Sequence, residues 1–453
     1  MHRSVWGLLA TLWVLPAPAL AADGLPRTTA FIRVNVVPMD RERIIPNQTV
    51  IVEGDRILAM GSRLAVPKHA HIIDGRGTAY LSPGLADMHT HSESPEDLAV
   101  YLAAGVTTVL HMGGARAGFV DNVVPAVNRG AIPGPHVYTG FKVDGSPAFN
   151  GFVIKTPAEA RAIVGLAKTN GYDFIKVYVG LSPDTFSALA EEGSRLAMPL
   201  VGHGIYAVRL ESQLAQGQVL VAHAEELFYT FFTPPAVEES DIPPDSSRIA
   251  AAVALVSRYN AAVTADVGTY AAIAHQIGHP EVLASFLSRP DATYLSPDTR
   301  LAWQRSGYVA KTARLEPKLA FLRKLIKAMA DANVELVTGT DAPTVPGIVP
   351  GFAVHDSLDE LEASGLSPFQ SLSTATRTPG RFIARTKAGV PFGVVAPGSR
   401  ADLVLTQANP LARIATLRAP LGVMAKGRWH EAATLRTLME TVRRRYRGSS
   451  EIP

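Results

Sequence analysis

Between residues 85 and 340 the chain alternates short β-branched runs with amphipathic stretches, and few folds accept that alternation eight times over. The candidate strands are Leu85 to His91, Val106 to His111, His136 to Thr139, Phe174 to Val179, Pro199 to His203, Gln218 to His223, Ala262 to Asp266 and Glu335 to Thr340. The candidate helices include Pro157 to Thr169, Pro183 to Gly193, Ser246 to Tyr259, Glu316 to Ala332 and Pro368 to Arg385. Strands followed by helices argue for a parallel α/β sheet, and eight of them over roughly 300 residues argue for a (β/α)8 TIM barrel.

The two ends of the chain follow a different period. Phe31 to Val37, Gln48 to Ile57 and Ala70 to Asp74 alternate apolar and polar residues, with Gly54-Asp55 as a hairpin signal. Val394 to Leu405 and Gly422 to Trp429 match them near the other end. Neither set buries a core alone, so both ends are expected to meet in one discontinuous β-sandwich domain. The division is then a signal peptide at 1–21, the β-sandwich at 22–82 and 386–453 with a C-terminal helix, and the barrel at 83–385. Residues 278–312 exceed what a strand-to-helix connection needs, and read as a lid over the barrel mouth or as a surface elaboration.

Composition narrows the function classes. The sequence is 47% hydrophobic and 18% charged, which fits a globular chain. Its 43 basic residues against 40 acidic ones are dispersed apart from Arg443-Arg444-Arg445, so no nucleic-acid partner is expected. The start reads as a secretory leader: His2 and Arg3, an apolar run from Val5 to Leu15, then Ala19-Leu20-Ala21 as a cleavage pattern. That run is short for a membrane span, so a periplasmic or secreted protein without stable membrane insertion is expected. The chain has no cysteine, which leaves His, Asp, Glu or a modified Lys to hold any metal.

In such a barrel chemistry gathers at the carboxyl ends of the strands. The first strand ends in His89-Thr90-His91, whose alternation points both imidazoles to one side. The fourth carries Lys176 and Tyr178 on one face among Phe174, Ile175 and Val177. A bare ammonium there is costly unless it is paired or modified. Carboxylation by CO2 would make Lys176 an anion able to bridge two metals; the plain alternative is a lysine reaching solvent or pairing with Asp173. The fifth and sixth strands end in His203 and His223, and the eighth in Asp341, each of which has a structural reading as a packed histidine or a helix cap. His111, Lys142 and Asp144 also fall near the mouth and are candidate substrate contacts.

Taken together, Pro83-Gly84-Leu85-Ala86-Asp87-Met88-His89-Thr90-His91, Gly105-Val106-Thr107-Thr108-Val109, Asp173 to Tyr178, Gly202-His203, His223 and Gly339-Thr340-Asp341 resemble the amidohydrolase superfamily. Pro397 to Val404 extends the resemblance into the closing strands of that family's β-sandwich. The resemblance implies a binuclear centre of two divalent ions, zinc by default. His89, His91 and Asp341 would hold one ion and His203 and His223 the other, with carboxylated Lys176 and a hydroxide bridging them. Asp341 would serve as general base and then acid, and Tyr178 would donate to the scissile carbonyl or to the oxyanion that replaces it. Mononuclear deaminases of the superfamily tend to carry Glu three residues past the fifth-strand His; here that residue is Tyr206.

The pattern is most similar to the imidazolonepropionase-like and prolidase-like branch. Its lysine-bearing members hydrolyse dipeptides and N-acyl amino acids and include enzymes that cleave amide-linked toxins such as ochratoxin. The resemblance therefore implies a small-molecule amide substrate bearing a carboxylate. A lactonase or cyclic-amide hydrolase on the same metals stays open, as do a non-catalytic binding protein and a homo-oligomer.

Overall fold

The computed structural model describes residues 28–149, 151–232 and 241–448. The expected leader at 1–21 lies outside them. Eight parallel strands form the central sheet: β1 (Leu85–Thr90), β2 (Val106–His111), β3 (His136–Asp144), β4 (Phe174–Val177), β5 (Leu200–Gly202), β6 (Gln218–Val221), β7 (Ala262–Thr264) and β8 (Leu336–Val337). They pair in chain order. The circle closes where β8 returns to β1: Met88 N donates to Thr338 O at 2.8 Å, Asp341 N to His89 O at 2.8 Å and His91 N to Ala342 O at 2.7 Å. The expected (β/α)8 barrel is therefore what the chain forms. Met88, Leu110, Phe174, Val201, Leu220 and Val337 fill its interior.

The strands from β4 onward are shorter than the periodicity suggests, so the site histidines stand just past the ends of the strands that carry them. β3 instead runs five residues beyond the expected Thr139 end, to Asp144, and gains an edge partner in Phe152–Val153. The expected single helix from Pro368 to Arg385 divides into Pro368–Thr374 and Arg377–Thr386. Pro379 has no N–H to give the Ala375 carbonyl four residues back. That carbonyl accepts Ala86 N of β1 at 2.7 Å, so the break stitches the helix to the barrel floor.

Both chain ends join one eight-stranded sheet. Tyr80–Pro83 lies between Thr28–Val36 and Leu403–Thr406, and so links early chain to late chain. Thr28–Val36 bends at Arg33, at φ 51°, and its halves pair with different neighbours: residues 29–32 with His71–Asp74 and residues 35–36 with Tyr80–Leu81. The bend lets the sheet fold over its own core of Phe31, Val50, Leu81, Leu403 and Met424.

Residues 278–312 form helices Pro280–Ser288 and Pro297–Gln304 with 3-10 turns. Buried Trp303 donates to Pro343 O at 2.7 Å, and Tyr294 stacks on Phe352 at 5.7 Å. These contacts anchor the segment to the loop after β8 and to the helix that follows it. Among the described residues no helix is long and apolar enough to cross a membrane.

One outer-layer contact carries a pH signature. His355 on helix Phe352–Ala363 is buried, with Nε2 2.9 Å from the Ala104 carbonyl. Burial, helped by the Arg418 charge, pushes its imidazole down to about 4. The unfolded chain takes up this proton near pH 6.5 and the folded chain does not, so stability falls as pH drops from about 6.5 to about 4. Urea titrations at pH 7 and pH 4.5 should show the His355→Gln variant losing less stability on acidification than the parent, by on the order of 2–3 kcal/mol.

Candidate metal centre

Barrel closure brings the first and last strands' functional residues into contact. Asp341 Oδ1 lies 3.2 Å from His89 Nε2 and 3.0 Å from His91 Nε2. Burial alone would raise the Asp341 carboxyl, but these hydrogen bonds hold it well below the usual carboxylate range. Asp341 adopts φ 60°, a left-handed conformation that Asp tolerates better than most residues. Beneath it, buried Asp87 accepts from Thr340 N at 3.1 Å, Thr340 Oγ1 at 2.6 Å, Tyr101 OH at 3.0 Å and His89 N at 3.2 Å. Asp87 thus pins the ends of β1 and β8 to each other.

His203 and His223 complete the imidazole cluster. The His89 and His223 rings are 4.3 Å apart and the His203 and His223 rings 4.8 Å. His203 Nδ1 is hydrogen-bonded to Glu226 and His223 Nδ1 to Asp266. The carboxylates accept, so each ring donates from Nδ1 and leaves Nε2 as the nitrogen that could face a metal, the usual orientation of a metal-binding histidine. Donor atoms of His89, His223 and Asp341 lie within 4.8 Å of one another, close enough to hold one ion. This trio draws on both halves of the expected centre, so the two half-sites adjoin at Asp341.

Lys176 rises from β4 into the middle of this group, and is buried. Glycines wall its stem: a Cβ at Gly202 would fall 2.9 Å from Lys176 Cδ, and one at Gly113 would fall 3.2 Å from Cγ. Both have positive φ, so larger residues are disfavoured there twice over. Desolvation pushes the Lys176 amine down to about 7, with Asp341 opposing and Lys142 reinforcing the shift. Lys142 is its register partner on β3.

The remaining sequence candidates are placed unequally. Tyr178 sits beside His203, ring centroids 4.0 Å apart, with the Lys142 ammonium 4.2 Å from its own ring centre. Burial raises its phenol above the ordinary value. His111 is buried against His91, and neither of its ring nitrogens has a hydrogen-bond partner among the described residues. Asp144 Oδ1 accepts Gly145 N at 2.7 Å and Gly180 N at 2.8 Å, which joins the loops after β3 and β4, while its buried Oδ2 has no hydrogen-bond partner among the described residues. Sequence reasoning missed Glu226, Asp266 and Asp87. The Asp87 signal was available, since it alternates onto the face of His89, whereas Glu226 and Asp266 follow their strands in irregular chain.

A closed parallel barrel gathers four histidines, a lysine and a carboxylate at its carboxyl rim, a donor set that could hold a divalent metal. The amidohydrolase family profile matches residues 80–430, and the chain belongs to that family. It is accordingly a hydrolase acting on amide bonds. Ochratoxinase of Aspergillus niger is 23% identical over 429 residues, covering 86% of this chain and 83% of that one. A solved bottromycin amidohydrolase superposes with a TM-score of 0.72 at 22% identity over 93% of this chain and 91% of its own. A Xaa-Pro dipeptidase with bound methionine gives 0.66 at 16% identity over 89% and 100%.

If Glu226 and Asp266 orient the two histidines, Glu226→Gln and Asp266→Asn should each weaken divalent-metal binding by about 10–100-fold. Competition with a chromogenic chelator measures this, and unchanged circular dichroism separates it from misfolding.

Proposed function

We propose that the protein is a binuclear amidohydrolase of small-molecule substrates that splits an amide bond next to a free carboxylate, as in a dipeptide or an N-acyl amino acid. The observation that carries the reading is the contact of Asp341 with both first-strand histidines, beside two imidazoles whose Nδ1 atoms are held by carboxylates. The donor set is all nitrogen and oxygen, which suits zinc. Buried His89 Nδ1 has no partner among the described residues, a further polar atom that the protein alone leaves unsatisfied.

His89, His91 and Asp341 would hold one ion and His203 and His223 the second, with Lys176 between them as a carbamate. An uncharged amine is what adds to CO2, forming the N–C bond and releasing one proton. Burial favours that form of Lys176, and the resulting anion would relieve its repulsion with Lys142. When bound, the ions supply a hydroxide nucleophile near neutral pH and polarise the scissile carbonyl.

The chain's own groups do the rest. Asp341 takes the proton of the attacking water and passes it to the departing nitrogen as the C–N bond breaks. Tyr178 donates its hydroxyl proton in a hydrogen bond to the oxyanion; its raised phenol keeps that proton. Lys142, over the Tyr178 ring, meets the substrate carboxylate. Export by the leader at 1–21 would set this reaction in the periplasm or outside the cell, which cell fractionation with N-terminal sequencing tests.

Metal-replete protein should hydrolyse members of an N-acyl amino acid and dipeptide library. Chelation or Lys176→Ala should cost several powers of ten in kcat/KM, with zinc restoring only the chelated parent. Lys142→Met should raise KM by about 10–100-fold with little change in kcat. Turnover confined to lactones, or turnover indifferent to chelator, would overturn the reading.

A further inference from the structure

A cavity of about 580 Å3 opens at the opposite end of the barrel from the candidate metal centre, between the barrel floor and the discontinuous sheet. Its walls include His136 and Tyr138 at the start of β3, Asp173 just before β4, and the hairpin formed by Gly422–Ala425 and Arg428–Glu431. β3 and β4 therefore begin at this cavity and end at the candidate metal centre.

The charges that line it do not balance. Of its two carboxylates, Asp55 lies 3.5 Å from Arg56, while Asp173 accepts Thr139 N at 2.9 Å and lies 3.8 Å from Lys387. Arg400 is paired with buried Asp402. Three cations remain. The Lys426 ammonium donates to Gly134 O at 2.6 Å and Arg428 to Gly130 O at 3.0 Å, while Arg129 meets no carboxylate among the described residues. Buried His430 and half-buried His136 also line the cavity, and no hydrogen bond engages either imidazole among the described residues.

The Lys426 charge sits on a tight turn of the hairpin. Lys426 and Gly427 are its two central residues, with φ of 52° and 73°, a tight connection that favours Asn or Gly at its first position. A lysine there strains the backbone, and its side chain reaches the cavity wall. The surrounding field is positive. Burial with the Arg400 and Lys426 charges pushes His136 down to about 3, and burial with Arg428 and Lys426 pushes His430 down to about 4. Burial likewise brings Lys426 down to about 8.

We propose that this cavity is a second ligand site, one that takes a small organic anion carrying carboxylate or phosphate groups against Lys426, Arg428 and Arg129. Its volume falls in the range of small-molecule sites, which often lie between domains. Tyr138, Ile132 and Val390 supply apolar wall for the body of the ligand, and the two imidazoles supply further polar contacts.

Isothermal titration of the metal-replete full chain with tricarballylate and, separately, glucose 6-phosphate tests this. At least one probe should bind saturably at one site with Kd below about 1 mM, and the one that does identifies the anion as carboxylate or phosphate. The Lys426→Asn/Arg428→Gln variant keeps a residue suited to the turn, and should bind about tenfold more weakly or worse at an unchanged melting temperature of the free protein. Acetic anhydride labelling of Lys426 in the parent, read by mass spectrometry, gives a measurement that needs no variant. Saturating probe should suppress it about fivefold or more, as expected when a charge-assisted contact covers the amine. Failure of both probes to bind, equal affinity in the variant, or labelling unchanged at saturation would overturn the proposal.

Discussion

The pairing of β8 with β1 is the constraint on which the site depends. Four of its residues reach the centre from the two strands that start and finish the barrel: Asp87, His89 and His91 on one side and Asp341 on the other. They are separated by some 250 residues of chain and meet only because the ladder closes through Met88 N to Thr338 O and His91 N to Ala342 O. Asp87 reinforces the joint with bonds to Thr340, Tyr101 and the His89 backbone. Burial pushes its carboxyl up to about 7, with those same bonds opposing the rise. A joint of this kind fixes donor positions by backbone geometry rather than by loop conformation.

Lys176 shows how the barrel interior handles a group that ordinary packing would reject. The glycines at 113 and 202 clear a straight channel for its methylenes, and the imidazoles and Asp341 surround its tip. Such an amine is expensive to keep charged in low dielectric. The uncharged amine that burial favours is the form the proposed carboxylation would use. Lys142, adjacent in register, stays partly hydrated and forms the cationic side of the mouth.

Much of this was legible before any coordinates. The eight-fold alternation gave the barrel, and His89, His91, His203, His223, Lys176 and Asp341 could be picked out because each ends or nearly ends a strand. What escaped were the carboxylates behind the ligands, Asp87 within β1 and Glu226 and Asp266 past the ends of β6 and β7. Glu226 and Asp266 act through connections past the strand ends that periodicity does not encode, and the two loop amides held by Asp144 Oδ1 are likewise visible only in the fold. The division of the helix after Pro368 was written in Pro379, but only the Ala86 contact shows what the freed carbonyl is used for. The charged cavity was beyond reach, since it joins side chains from residues 55 to 430 that share no motif.

The position of Tyr80–Pro83 between strands from opposite ends of the chain also governs how the molecule is made. Until Leu403–Thr406 has been synthesised, that strand presents one bare hydrogen-bonding edge immediately ahead of β1. Contacts this distant in sequence form late and slowly, and exposed edges recruit other chains in the interval. A nascent chain of this protein therefore carries an adhesive edge from about residue 83 until residue 403 has emerged.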